Sequence, residues 1–365
     1  MPPSAPSLAP GTPVQQTACA VPPTSGALGS LHPRAVLLGI QSAPVALPVC
    51  DHYSGVPERM RKSLQLQAEL TAQFGACVMD VTLDCEDGAP AGEEAKHAAL
   101  VADLVLGAAS NARVAVRVHP ITHHAFTHDI AQIVGRAGHR LCHVMLPKVE
   151  SVDDVALASK AIDAVGATHL PVHALIESPA AVHNAFAIAA HPRVQSLSFG
   201  LMDFVSAHGG AIPASAMDST GQFAHPLVVR AKLEIAAACH AHGKVPSHCV
   251  VTEFLDTNRL RSAAQRAAQE LGYTRMWSIH PAQIRPILEA FAPAPQELEM
   301  ATRLLLLAAA AQWAPVSLDG VLHDRASYRY FWYVLERAYR TGAALAPDVL
   351  HWFDASPPNF SQALQ

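Results

Sequence analysis

Several charged side chains in this chain stand where short apolar runs end, and their types suit a cation and an anion held side by side. Asp84, Glu86 and Asp87 close the run MDVTLDCED, Arg117 closes VAVRVH, Glu177 follows VHALI, and Asp203 follows LSFGLM. Two carboxylates such as Glu177 and Asp203 repel when brought together unless a cation lies between them. Mg²⁺ suits that arrangement, because it takes one or two carboxylates, keeps waters and leaves positions for substrate oxygens. The same two acids could instead cap following helices or pair with bases. Arg117 offers a planar fork for a substrate carboxylate or a developing enolate oxygen. It could equally form a structural salt bridge to Asp84, Glu86 or Asp87, and these three acids would then position it or hold water ligands of the metal.

Histidine is abundant, at 21 residues, and His119, His123, His124 and His128 cluster just beyond Arg117. Neither an HExxH pattern nor a Cys–His spacing of a structural zinc site is present. His280, in WSIHPAQI, is the stronger functional candidate, although its ring could serve only to hold a strand end through a backbone bond. No GxGxxG, GxxxxGK[ST] or GxSxG occurs, so nothing supports a nucleotide cradle or a serine nucleophile elbow.

These side chains need elements to carry them to one place. The runs VALPVC, VMDVTLD, RVAVRVH, CHVMLP, VHALIE, VQSLSFG, KVPSHCV and RMWSIHP read as buried strands by length and β-branched content. Helical patterns such as VDDVALASKAIDAVG and RLRSAAQRAAQELG lie between them and stop at glycine. About eight strand–helix units in about 250 residues fit a closed (β/α)8 barrel of TIM type, whose C-terminal strand ends share one face. The expected division is a Pro/Ala/Ser-rich tail over 1–33, a barrel over 34–292 and a helical extension over 293–365. In that extension QELEMATRLLLLAAAAQW and RASYRYFWYVLERAYRTG read as helices joined by a short loop, PVSLDGVLHD. Its aromatic stripe (Tyr330, Phe331 and Tyr333) reads as packing or a subunit contact.

Composition narrows the field further. A net charge of −5 with only 25 Lys and Arg argues against general nucleic-acid binding. The apolar stretch LLLLAAAAQWAPV is too short and interrupted for a membrane span. Seven scattered cysteines without CxxC read as reduced thiols of a cytoplasmic protein.

The segments YSGVPERMRKSL, LDCEDGAPAGEEAK, RVH, LPKVE, LIES, FGLMDF and IHPAQI occur in the order seen in the HpcH/HpaI aldolase and citrate lyase β-subunit family. The chain resembles that family over roughly Pro48 to Glu289, in the branch of malyl-CoA and citramalyl-CoA lyases. The resemblance implies a Mg²⁺-dependent carbon–carbon lyase acting on a thioester, with coenzyme A as the expected carrier, in a homo-trimer or hexamer. It implies Glu177 and Asp203 as metal carboxylates and Arg117 as the substrate arginine. It aligns Asp324, in DGVLHD, with an acid/base supplied to a neighbouring subunit. The chain departs from the family pattern at His119, where Asn is usual, at Leu100 and at His248. Arg275–Met276 replace a usual Gly–Lys where the thioester is expected to meet the barrel rim. Two rival readings stay open: a class II aldolase on free 4-hydroxy-2-oxo acids, and a catalytically reduced barrel serving as a binding subunit.

Overall fold

A computed structural model describes residues 32–39 and 47–354. The expected tail therefore lies outside the described residues, apart from His32 and Pro33. Eight parallel strands close into a barrel in sequence order. They are β1 (Cys50–Ser54), β2 (Met79–Asp84), β3 (Val114–Arg117), β4 (Leu141–Leu146), β5 (Val172–Ile176), β6 (Val194–Phe199), β7 (Val245–His248) and β8 (Arg275–Ser278). Closure comes from β8 pairing with β1, with Cys50 opposite Met276. No described helix is long and apolar enough to cross a membrane.

Side-chain alternation explains why strands of such mixed composition are buried on both faces. On β3, Val114 and Val116 join the apolar shell between sheet and helices, which turns Ala115 and Arg117 towards the lumen. The lumen is layered. Tyr53, Met145, Leu175 and Trp277 form an apolar middle layer, with Tyr53 and Trp277 stacked at 4.3 Å. Beneath it Asp51, Asp80, His143, His173 and Arg275 are all fully buried.

Arg275 neutralises that floor. One guanidinium nitrogen lies 2.8 Å from Asp51 and 2.7 Å from Asp80, and another donates to the Pro48 carbonyl at 2.7 Å. Arg113 holds the other oxygen of Asp80 at 2.5 Å. The expectation that Arg275–Met276 sit at the rim is thus corrected, because Arg275 opens β8 and so points to the N-terminal end of the barrel. The first strand also shifts, from VALPVC to Cys50–Ser54. Its polar Asp51 is buried because the floor supplies Arg275 as partner.

Beyond the barrel come the helix Pro295–Ala310, an antiparallel hairpin of β9 (Val316–Leu318) and β10 (Val321–His323), and the helices Arg325–Thr341 and Pro347–Asp354. The expected loop PVSLDGVLHD is therefore a hairpin. Asp319 and Gly320 turn it with φ of 51° and 80°, as a two-residue primed turn requires. Leu304, Leu305, Tyr328, Trp332 and Leu335 form a core separate from that of the barrel. The helix Pro33–Leu38, placed by sequence with the barrel, buries Leu37 in this second core. Within the aromatic stripe Tyr330 and Tyr333 are exposed, and the intervening Trp332 carries the packing.

Replacing Arg275 with Met strands the Asp51 carboxylate in the floor and leaves Asp80 with Arg113 alone. Breaking a buried ion pair from one side costs on the order of 3–5 kcal/mol, so the urea unfolding midpoint should fall accordingly. A loss below about 1 kcal/mol, the range of solvated surface pairs, would show that the floor charges are not desolvated.

Candidate active site

Arg117 is the last residue of β3 and is 9% exposed. Its Nε and Nη2 donate to the two oxygens of Asp84, the last residue of β2, at 2.7 and 2.5 Å. Its Nη1 lies 3.1 Å from Glu86. Burial opposes the positive charge, but Asp84 and Glu86 outweigh it and hold the Arg117 pKa above its usual value. Asp84 is itself fixed by the N–H groups of Glu86 and Gly88, at 2.9 and 2.8 Å. The structural salt bridge allowed by sequence is therefore present. Two of the five guanidinium N–H groups of Arg117 are thus engaged by Asp84, and Nη1 is paired with Glu86 by charge.

Glu86 carries the chain of contacts onward to Lys148, whose Nζ lies 2.7 Å away. Lys148 follows β4 and adopts φ of 51°, a left-handed conformation uncommon outside glycine. That turn aims its backbone N–H at Glu177 Oε1, 2.6 Å away, just after β5. Asp87 is exposed and stands 3.5 Å from the same Nζ. Lys148 was not singled out from the sequence. The only signal for it was its place in LPKVE.

Glu177 is 5% exposed. Burial first, then the charge of Asp203, pushes its pKa up to about 8, against the pull of the Lys148 N–H. Asp203 lies not on a strand but in the first turn of the helix Leu201–Ser206, immediately after β6, and is half-buried. Gly200 makes the approach possible, since a Cβ there would fall 2.3 Å from Glu177 Oε2.

His280 stands across the mouth. A cavity of about 640 Å³ runs from Asp84 and Arg117 past Tyr53 and Trp277 to His280. His280 Nδ1 accepts the Ala282 N–H at 3.2 Å, so the ring caps the turn Pro281–Gln283 that follows β8. The structure thus gathers Asp84, Glu86, Asp87, Arg117 and Glu177 with Asp203 beside them, and borders the same mouth with His280. Asp324 is not among them. It caps the helix Arg325–Thr341, accepting from the Ala326 N–H at 2.8 Å. The far end of that helix, at Glu336 and Arg340, lines a cavity with Pro48, Cys77 and Arg113 at the floor of the barrel. His248 does not face the mouth either, because its ring stacks on Phe223 at 5.4 Å and meets Tyr273 edge-on in the outer shell.

In the floor, Asp51, His143 and His173 bring potential metal ligands within 4.8 Å of one another. The two imidazoles are stacked, however, with centroids 3.5 Å apart and planes 12° apart. Their lone pairs run side by side rather than converging, and Asp51 is already neutralised by Arg275. The carboxylates at the mouth are the better cation ligands.

Comparison with known proteins agrees with this architecture. The family model for HpcH/HpaI aldolase/citrate lyase matches residues 65–281. A crystal structure of a citrate lyase from Burkholderia xenovorans LB400 is 50% identical, covers 88% of this chain and 100% of that one, and superposes with a TM-score of 0.73. L-malyl-CoA/beta-methylmalyl-CoA lyase of Cereibacter sphaeroides is 29% identical over 67% of this chain and 81% of its own length. The CitE protein of Mycobacterium tuberculosis, solved with magnesium, acetoacetate and coenzyme A, shares the fold at 23% identity, with a TM-score of 0.62 over 80% of this chain and 98% of its own. A closed parallel barrel with its charged groups at the C-terminal strand ends, matched by the family model over more than half its length, makes this chain a member of the HpcH/HpaI aldolase/citrate lyase family and a carbon–carbon lyase.

Proposed function

We propose that this protein is a Mg²⁺-dependent lyase that cleaves, or forms by Claisen-type condensation, a 3-hydroxy-acyl thioester of the malyl-, citramalyl- or citryl-CoA kind. One observation carries the reading. Asp84 and Glu86 are ion-paired to Arg117 and Lys148, whereas Glu177 and Asp203 come together with no ion pair to a base among the described residues. Each of these two carboxylates opposes ionisation of the other unless a cation lies between them, and a divalent ion would relieve that repulsion. The all-oxygen donors and the open side of Asp203 suit a hard cation that keeps waters. The malyl-CoA lyase relatives support the thioester substrate.

Glu177 and Asp203 would hold the ion, which when bound supplies a Lewis acid to the oxygens of the 2-oxo-acid half of the substrate. Arg117 directs its remaining N–H groups at the negative charge that develops as the carbon–carbon bond breaks. Asp84 and Glu86 keep the guanidinium from turning, so the donors are aimed before charge appears. Lys148 fixes the Glu177 carboxylate through its N–H. The cavity between Arg117 and His280 has room for the acyl group.

In this reading Asp324 serves the mouth of a neighbouring subunit and moves the proton at the α-carbon or hydroxyl. Val321 and Leu322 beside it are exposed, and such apolar tips suit a contact between copies in a trimer or hexamer. That Asp324 caps its own helix also favours the rival, a class II aldolase on free 4-hydroxy-2-oxo acids with no use for this residue.

Glu177→Gln and Asp203→Asn should each abolish Mg²⁺-dependent release of the 2-oxo acid while circular dichroism stays unchanged; full turnover of either variant in EDTA would sink the metal assignment. Asp324→Ala separates the two chemistries. It should lower thioester turnover at least about 100-fold, the usual worth of a positioned acid or base, whereas cleavage of a free 4-hydroxy-2-oxo acid that the substitution leaves unchanged favours the aldolase. The raised pKa of Glu177 also makes a stability prediction. Its carboxyl is neutral in both states below pH about 4.5 and ionises in the unfolded chain first, so metal-free stability should fall as pH rises from 4.5 to about 8. Mg²⁺ should recover that stability at pH 8, and Glu177→Gln should remove both effects in thermal melts.

A further inference from the structure

His119 lies two residues beyond Arg117, and the Val118 N–H bonds the Met145 carbonyl at 3.2 Å, so the pairing of β3 with β4 continues past the arginine. By alternation His119 leaves the strand on the same side as Arg117, one step further out at the mouth. It is held there by a buried acid. Its backbone N–H and ring Nδ1 both reach Asp129 Oδ2, at 2.9 and 2.6 Å, and Asp129 is fully buried. A carboxylate on Nδ1 selects the tautomer with its proton on Nδ1 and leaves a lone pair on Nε2. Nε2 has no bonding partner among the described residues, and unlike the ring nitrogens of His143 and His173 it is not sealed from solvent. The ring is stacked on His123 at 4.4 Å, and His123 in turn on His124 at 4.3 Å. The charged and titratable groups around it are Asp129 from the helix Phe126–Asp129, His123 and His124 from the loop, and Glu94 from the helix Glu94–Gly107.

We propose that His119 is the general base of the cleavage step and that Asp129 is its positioning residue. The inference rests on the thioester-lyase reading above. Nε2 takes the proton of the substrate hydroxyl, and the O–H electron pair becomes the second bond of the new carbonyl. The bond from that carbon to the thioester α-carbon breaks, and its pair forms the thioester enolate, whose oxygen faces Arg117. The α-carbon is then protonated by the acid opposite, Asp324 of a neighbouring subunit. Exchange with water resets both groups, and no oxidant or reductant is needed. An Asp–His pair at this position gives the chain a base of its own, while Asp324 has to come from another copy.

The test is steady-state turnover of malyl- and citramalyl-CoA by the full chain with Mg²⁺. His119→Ala should lower kcat about 100-fold or more, with KM little changed, and should remove the acid limb of the kcat–pH profile. Added imidazole should restore a large part of that loss, which a purely structural role would not allow. His119→Asn keeps a donor for Asp129 and so holds the loop. It should be as impaired as His119→Ala but as stable as the parent. Asp129→Asn should lower kcat and move the acid limb without removing it. Wild-type kcat and an intact acid limb in His119→Asn would overturn the role of His119 alone. Failure of the parent to cleave any thioester in the presence of Mg²⁺ would overturn the lyase reading and this inference with it.

Discussion

The alternating run of charges from Asp84 through Arg117, Glu86 and Lys148 to Glu177 is the constraint on which the mouth depends. Each member answers a cost imposed by its neighbour. Arg117 is buried to 9% exposure, and a guanidinium so placed is tolerable only with anionic partners. Those partners are themselves buried and need Arg117 and Lys148. The run joins groups at the ends of β2, β3, β4 and β5, so no strand end can shift alone. Glu177 closes the series at a place where burial and Asp203 both oppose its ionisation. That opposition is what the proposed cation would relieve at this end of the mouth, rather than at the Arg117 end.

The lower barrel solves a similar problem for a different purpose. Asp51 and Asp80 gain nothing from solvent, and Arg275 and Arg113 neutralise them at 2.5–2.8 Å. Tyr53, Met145, Leu175 and Trp277 lie between the two charged regions. This apolar layer lowers the local dielectric on both sides, which strengthens fixed pairs and penalises unpaired groups. The floor is thus a closed ionic support, whereas the mouth leaves Glu177 and Asp203 without a paired base among the described residues.

Much of this was legible in the primary structure because the strands are short, β-branched and terminated by charge. The placement of Glu177, Arg117 and the acids of LDCEDG needed only strand counting and the geometry of a parallel barrel. Other parts were not legible. Lys148 looks like a solvated lysine in LPKVE until φ of 51° shows that its backbone, as much as its side chain, serves the site. Arg275 was read towards the rim through the family resemblance, although as the first residue of RMWSIHP it stands at the N-terminal end of its strand. The strand CDHYS escaped notice because its polarity is satisfied only by residues far away in the chain.

The sequence by itself determined the barrel, through the period of its apolar residues, and the chemical types that gather at its mouth. It also determined family membership, since seven short motifs keep their order. Tertiary structure alone decided which acids are ion-paired and which lie together without a base. It also separated Asp324 from the mouth within one chain and set a buried carboxylate behind His119. The physical reason is that pairing and burial depend on distances across the barrel, between residues on different strands, whereas local periodicity reports only which way each side chain faces.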